Sequence, residues 1–347
     1  MPITTTLWQN KNKLIQSFHD ATIHGILDTW QRCGNLGTKP QEPDFVAGLV
    51  LESTPLILNA LTSVLSSSRI SVSMSAVFCH QSPKVTFNGP QTTCELGDIL
   101  IAYVHTPKVG QVRRNAILFQ AKATATQPYQ IKSTDTDQLR LYTDWPDFVY
   151  NKSPPFLSGH KRFVTPKTPH SGGQYLLIVN SHPTNPSSGL QGHQGTYPVG
   201  CCIPDNTLYH HADLASELFN LLIFRTGRPF EDKNTAATKK DWSLVVWDIL
   251  ETGINKAFNR KNSERRNSPR GIANTIQMLD GSFFAKASSM LPCSTVAEII
   301  GQDRVSSFYK QDSGVPPYNR DRLRDTDEPE AGVSVVLIET SELESEG

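Results

Sequence analysis

The chain has 347 residues, of which 37% are hydrophobic, and its 33 Lys and Arg balance 33 Asp and Glu to a formal net charge of zero. That length suits one large domain or two ordinary ones with a sizeable core. The charge balance argues against coating nucleic acid by bulk charge, though not against a local basic groove. Met1 to Lys13 contains no apolar stretch of the signal-peptide kind, and no run of about 18 apolar residues stands out, so neither export nor a membrane span is expected. Cys33, Cys79, Cys94, Cys201, Cys202 and Cys293 form no C-x-x-C pair, which points to a reduced, cytoplasmic setting without a structural zinc site.

In chain order, Leu14, Ile15, Phe18, Ile23, Ile26, Leu27 and Trp30 recur at helical spacing and predict a helix over 11–32, ended by Gly34 and Gly37. Phe45, Val46, Leu49 and Val50 predict a second helix over 42–52. Ser53-Thr54-Pro55 predicts a fresh helix start, running to about Leu65. The period then changes. Residues 70–78 alternate as a strand, with Val85-Thr-Phe87 a candidate return strand. Strands are expected over 97–104 and 115–122, joined by a turn at Val109-Gly110. A helix over 135–145 and a strand over 174–180 follow. The stretches 151–172 and 181–200 read as loops, and Gly227-Arg-Pro229 as a turn. Later come a helix from Asp213 to about Phe224, an amphipathic helix over 242–258 capped by Asp241, a polar loop over 311–331, a final strand over 332–338 and an acidic tail. The expected division is an N-terminal helical segment (1–41), a core (42–204) and a C-terminal elaboration (205–347).

The candidate chemistry sits on two strands. Alternation puts Asp98, Leu100, Ala102 and Val104 on one face of the strand at 97–104. Both faces are otherwise apolar, and a carboxylate there is costly unless paired, hydrogen-bonded or metal-bound. On the strand at 115–122, Gln120 and Lys122 share a face at the end of an apolar run, and Asp98 is a partner for them. In the helix at 42–52, Glu42 falls within the stripe of Phe45, Val46 and Leu49, with Glu52 at its edge and Asp44 on the far side. Glu42 reads equally as a first-turn carboxylate favoured by the helix dipole. Gln138 and Tyr142, four apart, share a helix face.

The order of helix, three strands, helix and strand, with an acid opening the second main strand and Gln-Ala-Lys closing the third, resembles the PD-(D/E)XK superfamily. This is the fold of type II restriction enzymes and many repair nucleases. The matching stretches are Glu95-Leu-Gly-Asp98 and Phe119-Gln-Ala-Lys122, within about 40% of the chain (residues 42–180). Gly97-Asp98 stands where the family has proline and aspartate, and Gln120 where it has its second acid. The Q-x-K variant resembles Mrr-type nucleases, and Gln138-Leu-Arg-Leu-Tyr142 resembles the Q-x-x-x-Y motif of RecB-type nucleases.

The resemblance implies an α/β fold with a restriction-endonuclease-like αβββαβ core and a mixed central sheet, elaborated by helices and strands on its C-terminal side. It implies an Mg²⁺- or Mn²⁺-dependent endonuclease acting on DNA, in bacterial restriction or phage defence. Asp98, Glu42 and the backbone carbonyl of Ala121 would hold the metal, with Gln120 offering a neutral carbonyl oxygen. Lys122 would orient or help deprotonate the attacking water and stabilise transition-state charge. Gln138 and Tyr142 would position the phosphate or buttress Lys122. A homodimer or a defence-system partner protein would be the further partners. An inactive module of the same fold that binds nucleic acid or a protein, and an RNase, are the alternatives.

Elsewhere, the basic stretch with Lys256, Arg260, Lys261, Arg265, Arg266 and Arg270 reads as a solvated helix end or a contact for backbone phosphates. Lys108, Arg113 and Arg114 flank the turn between the two central strands and are further candidates for that contact. Tyr142 and Trp145 are candidates to stack on a base or to be core. His210-His211, near Cys201-Cys202, lacks a third partner for a metal or nucleophile site.

Overall fold

The computed structural model describes every residue except 1, 80–82, 88–92, 126, 152–155, 166, 168–171, 183–189, 193–194, 260–275, 281–293, 302–331 and 344–347. Helix α1 (Ile3–Gln9) leads into α2 (Lys11–Asn35), whose buried residues Leu14, Phe18, Ala21 and Ile26 recur at the expected spacing. The next helices differ from expectation. α3 (Glu42–Ala47) passes without a break through a π-helical turn (Gly48–Glu52) into α4 (Ser53–Leu65). Pro55 offers no N–H to the preceding turn, and the wider turn absorbs that mismatch where a fresh start was expected. The Thr54 hydroxyl donates back to the Val50 carbonyl at 2.6 Å. α2 crosses this run at two glycines: a Cβ at Gly48 would lie 2.2 Å from Thr29 Oγ1 and 2.4 Å from the Gly25 carbonyl oxygen.

This helical run, Glu42–Ser68, is long and apolar enough to cross a membrane by composition, with mean hydropathy 1.5. Its window is 67% buried, so packing accounts for the apolarity.

The chain then enters a mixed sheet. Its strands are β1 (Ile70–Val77), β2 (Ile99–Thr106), β3 (Arg113–Thr124), β4 (Gly173–Val179), β5 (Val199–Cys202), β6 (His210–Asp213), β7 (Arg228–Pro229), β8 (Ile276–Asp280) and β9 (Ser334–Glu342). The helices between them are α5 (Thr136–Asp144), α6 (Leu214–Leu222), α7 (Lys233–Lys239), α8 (Trp242–Asn259) and α9 (Ser294–Ile300). The order across the sheet is β6-β5-β4-β3-β2-β9-β1-β8, with β7 pairing beside β3. β2 and β3 are antiparallel, while β9 runs parallel to β2 and β4 parallel to β3.

Alternation along β2 and β3 feeds two cores. Ile99, Ile101, Tyr103, Ile117 and Phe119 pack with α1–α4 and α6; Leu100, Ala102, Val104, Ala116 and Leu118 pack with α5 and α8. The sheet is therefore buried on both faces between helical layers, which is why its central strands read as nearly unbroken apolar runs.

Four further expectations shift. The final strand, expected within a C-terminal elaboration, runs between β1 and β2 in the middle of the sheet. β5 and β6 lie on either side of residue 205 within that same sheet. Val85, read as part of a return strand from β1, belongs to a separate small sheet of Thr93–Glu95, Lys84–Thr86, Phe148–Asn151 and Lys161–Arg162. Gly227-Arg-Pro229, read as a turn, pairs with Asn115 and Ala116 through β7. Among the described residues no cysteine is joined in a disulfide.

Candidate active site

The antiparallel register of β2 and β3 sets Ile99 opposite Phe119, so Asp98 comes level with Gln120 where β2 begins. The Asp98 N–H donates to the Phe119 carbonyl at 2.8 Å, which fixes that level. Asp98 Oδ2 then accepts from the Ala121 N–H at 2.7 Å and from the Gln120 side-chain amide. In an extended strand, the N–H and C=O of one residue leave on the same side. The Ala121 carbonyl therefore also faces Asp98, past the end of β2.

Glu42 reaches the same strand end from the first turn of α3, where its Oε2 accepts from the Ala123 N–H at 3.3 Å. Between the two helix candidates, Glu52 lies roughly 15 Å further along the helical run. Asp44, expected to point away, is buried: its Oδ2 accepts from the Gln41 N–H at 2.8 Å and caps the helix.

Gln120 is placed differently from its expected role. Its amide NH₂ faces Asp98, and its Oε1 accepts from the Gln138 amide. A carboxylate only accepts, so the donor end of Gln120 turns towards it and the carbonyl oxygen is engaged elsewhere. Gln120 bridges Asp98 to α5, and its carbonyl oxygen is taken up by Gln138. Gln138 also donates to the Glu95 carbonyl at 3.3 Å. Tyr142 is fully buried and donates to the Leu96 carbonyl at 3.0 Å. Both hold the segment that delivers Asp98, and neither is placed to contact a phosphate. Trp145 is likewise core, stacked on Tyr142 and edge-on to Trp242. Gly97 is explained by the same packing: a Cβ there would lie 2.6 Å from the Tyr142 hydroxyl and 2.8 Å from Leu118.

Lys122 Nζ lies 3.1 Å from Asp135 Oδ2, a residue that the sequence reading passed over. Asp135, Gln138 and Tyr142 are spaced three and four apart, so they form one stripe of α5 and the turn before it. That spacing was the available signal.

Burial, then repulsion from Glu42 and Glu95, holds the Asp98 carboxyl well above the ordinary carboxylate range, against the pull of the Ala121 N–H and Lys122. Burial also raises Glu42; Lys122 and the Ala123 N–H oppose the rise, while Glu95 and Asp135 add to it. Burial works against the Lys122 charge, but Glu42, Asp135 and Asp98 outweigh it and raise the group. Lys122 is thus held as a cation and is poorly suited to accept a proton.

Glu95 and Asp135 act on Glu42, and Glu42 and Glu95 act on Asp98, with Lys122 as the counter-charge to both. Among the described residues no group of three or more His, Cys, Asp or Glu side chains is assembled to hold a metal ion. The candidate donor set is Asp98, Glu42 and the Ala121 carbonyl: hard oxygens in a site of excess negative charge, which fits Mg²⁺ or Mn²⁺.

Arg113 and Arg114 are not part of this site. Arg113 pairs with His105 at the far end of β2, so the turn lies roughly 30 Å from Lys122 along the strands. Arg260, Lys261, Arg265, Arg266 and Arg270 lie outside the described residues. His210 bonds to Tyr197 and Gln127, and His211 lies 3.8 Å from Glu217. Comparison of the chain with protein-family models, curated proteins and solved structures gave no match in any of the three.

Proposed function

We propose that this chain is a divalent-metal-dependent nuclease of the restriction-endonuclease-like kind, hydrolysing phosphodiester bonds in DNA in bacterial restriction or phage defence. One observation carries the reading: an aspartate at the start of one strand faces a Gln-Ala-Lys segment on its antiparallel neighbour, and a helix glutamate arrives at the same strand end. The insertion of β9 between β1 and β2 elaborates the simple three-strand order that the resemblance implies. The biological setting rests on the resemblance alone.

Bound Mg²⁺ or Mn²⁺ would polarise the phosphodiester and activate water. Asp98, Glu42 and the Ala121 carbonyl would hold it. Lys122, kept charged by its acidic neighbours, would orient the nucleophile and offset charge on the phosphoryl oxygens. Gln120, Gln138 and Tyr142 would fix the Asp98 segment so that its carboxylate is preorganised.

The decisive experiment is cleavage of plasmid and linear duplex DNA with Mg²⁺, with Mn²⁺ and in excess EDTA. Metal-dependent cleavage lost in Asp98→Ala supports the reading, and full activity in EDTA overturns it. In Lys122→Ala, turnover should fall by about 100-fold with DNA affinity retained, as for an electrostatic catalytic group. An inactive binding module is the second reading. It is favoured by the closed network in which Gln120 satisfies Asp98 and Asp135 satisfies Lys122. DNA binding without cleavage under any metal would select it.

A further inference from the structure

At the opposite end of β2 and β3 lies a cleft of about 590 Å³ with Arg113, Arg114, Arg225, Arg228 and Lys239 among its lining residues. Glu231 and Asp241 are the acids in the lining, and both are engaged. Glu231 pairs with Lys239 at 3.0 Å, and Asp241 accepts from the Ser243 N–H at 2.9 Å. Arg113 stacks on Phe224 and Arg225 on Trp8, at 3.7 and 4.4 Å to the ring centroids. A stacked guanidinium presents its face to the ring and keeps its N–H edge for an acceptor.

Arg228 is the unusual member. It is 6% exposed, and both terminal nitrogens are shielded from solvent with no hydrogen-bond partner. Trp242, 5.7 Å away, gives its charge partial cover, and Asp241 attracts it from a distance. A guanidinium remains charged when buried, so its field reaches the cleft with little screening. Beside it, Asn115 Oδ1 is a buried acceptor with no donor. A buried, unneutralised guanidinium behind a wall that also carries Arg113, Arg114 and Arg225 describes an anionic ligand, with phosphate oxygens meeting the arginines that edge the cleft. The volume exceeds a bare phosphate and falls in the ~300–1,000 Å³ range of small-molecule sites.

We propose that this cleft is a second binding site, separate from the Asp98 end, for a small nucleoside phosphate. The Arg113–Arg114 edge holds the phosphate group, Arg228 attracts it from behind the cleft wall, and the remaining volume takes the nucleoside. The ligand lies roughly 25 Å or more from Lys122 along the strands, so it acts on the protein without touching the reacting atoms.

Calorimetric titration of the full chain in EDTA with ADP, with inorganic phosphate and with a short DNA duplex tests this. ADP binds about 10-fold tighter than inorganic phosphate, the scale of one good added interaction. Arg228→Met, which keeps the packing against Trp242, weakens ADP by about 10-fold or more, as does the surface pair Arg114→Ala with Arg225→Ala. The surface pair keeps the test valid should Arg228→Met not fold. Asp98→Ala binds ADP unchanged. No ADP binding, binding unaltered by the arginine variants, or loss of binding in Asp98→Ala each overturns the proposal. Duplex binding that the arginine variants remove, with no ADP binding, also overturns it and assigns the cleft to a nucleic-acid backbone.

Discussion

Lys122 Nζ and Asp135 Oδ2 stand 3.1 Å apart, tying the end of β3 to the turn that starts α5. The pair is largely shielded, with side-chain exposures of 11% and 23%. A partly buried pair of this kind fixes geometry more than it adds stability. Without Asp135, Glu42 remains as the strongest attraction on the ammonium. Asp135→Asn is therefore expected to lower turnover of DNA cleavage by about 10-fold while leaving duplex affinity unchanged, the scale of a mispositioned catalytic cation. Equal or higher turnover in steady-state assays would show that the pair restrains Lys122 rather than positioning it.

A second prediction concerns stability against pH. The folded protein holds the Asp98 carboxyl above its unfolded value of about 3.9, because burial disfavours the charge. Between those two values the folded state binds more protons than the unfolded chain. The contribution is thus favourable in acid and is lost as pH rises through the raised value. Asp98→Asn removes the charge and keeps an acceptor for the Ala121 N–H. Its Tm should exceed the parent's by roughly 2 °C or more at pH 8, with the gap closing at pH 4, about 1 kcal/mol for a chain of this size. Thermal melts at the two pH values measure this; a Tm gap of the same size at both would exclude Asp98 ionisation as its source.

Adding an acid tests the neighbouring position. Gln120 donates to Asp98, so Gln120→Glu sets carboxylate against carboxylate inside the protein. In EDTA the variant should lose about 1–3 kcal/mol, the cost of an unsatisfied buried polar group. Mg²⁺ should restore more stability to it than to the parent, because carboxylate oxygens suit a hard cation. Chemical denaturation with and without Mg²⁺ reads both; a loss that Mg²⁺ does not reduce would separate position 120 from any metal.

The glycine before Asp98 gives a packing test. Gly97→Ala should cost about 1–3 kcal/mol, the range for overpacking, and depress cleavage through the displaced Asp98 segment. Tyr142→Phe removes the hydroxyl that the new methyl would strike, though it orphans the Leu96 carbonyl. The double variant should cost less than the two singles together, since the residues are in contact. Strict additivity in urea melts would mean that Leu118 alone sets the limit.

Much of this was legible beforehand because alternation and helical spacing report burial directly. Asp98 stood out as an acid at the start of an apolar run, and Gln120 and Lys122 as a polar pair at the end of another. The turn expected between the two strands made Asp98 a neighbour for Gln120 and Lys122, while the register itself came from the structure. Asp135 was harder, because a helix-start aspartate already has a local explanation as a capping residue. The role of Gln120 was missed because an amide is both donor and acceptor, and only its neighbours decide which end faces the acid. The neighbours of β9 were hidden for another reason. Nothing in Ser334–Glu342 itself reveals which strands it separates, since that pairing joins segments far apart in the chain.

That last pairing has a consequence for synthesis. As the polypeptide leaves the ribosome, Asp98, Gln120 and Lys122 emerge early, and β1 and β2 wait with facing edges unpaired until residues 334–342 arrive. At translation rates of about 5–20 residues per second, that interval is on the order of 10 s or more. During it the chain is exposed to edge-to-edge association and lacks the support that holds Asp98 level with Gln120. Whatever chemistry the Asp98 end performs has to wait for residues 334–342 to emerge, and a translation product interrupted before them lacks the strand that joins β1 to β2.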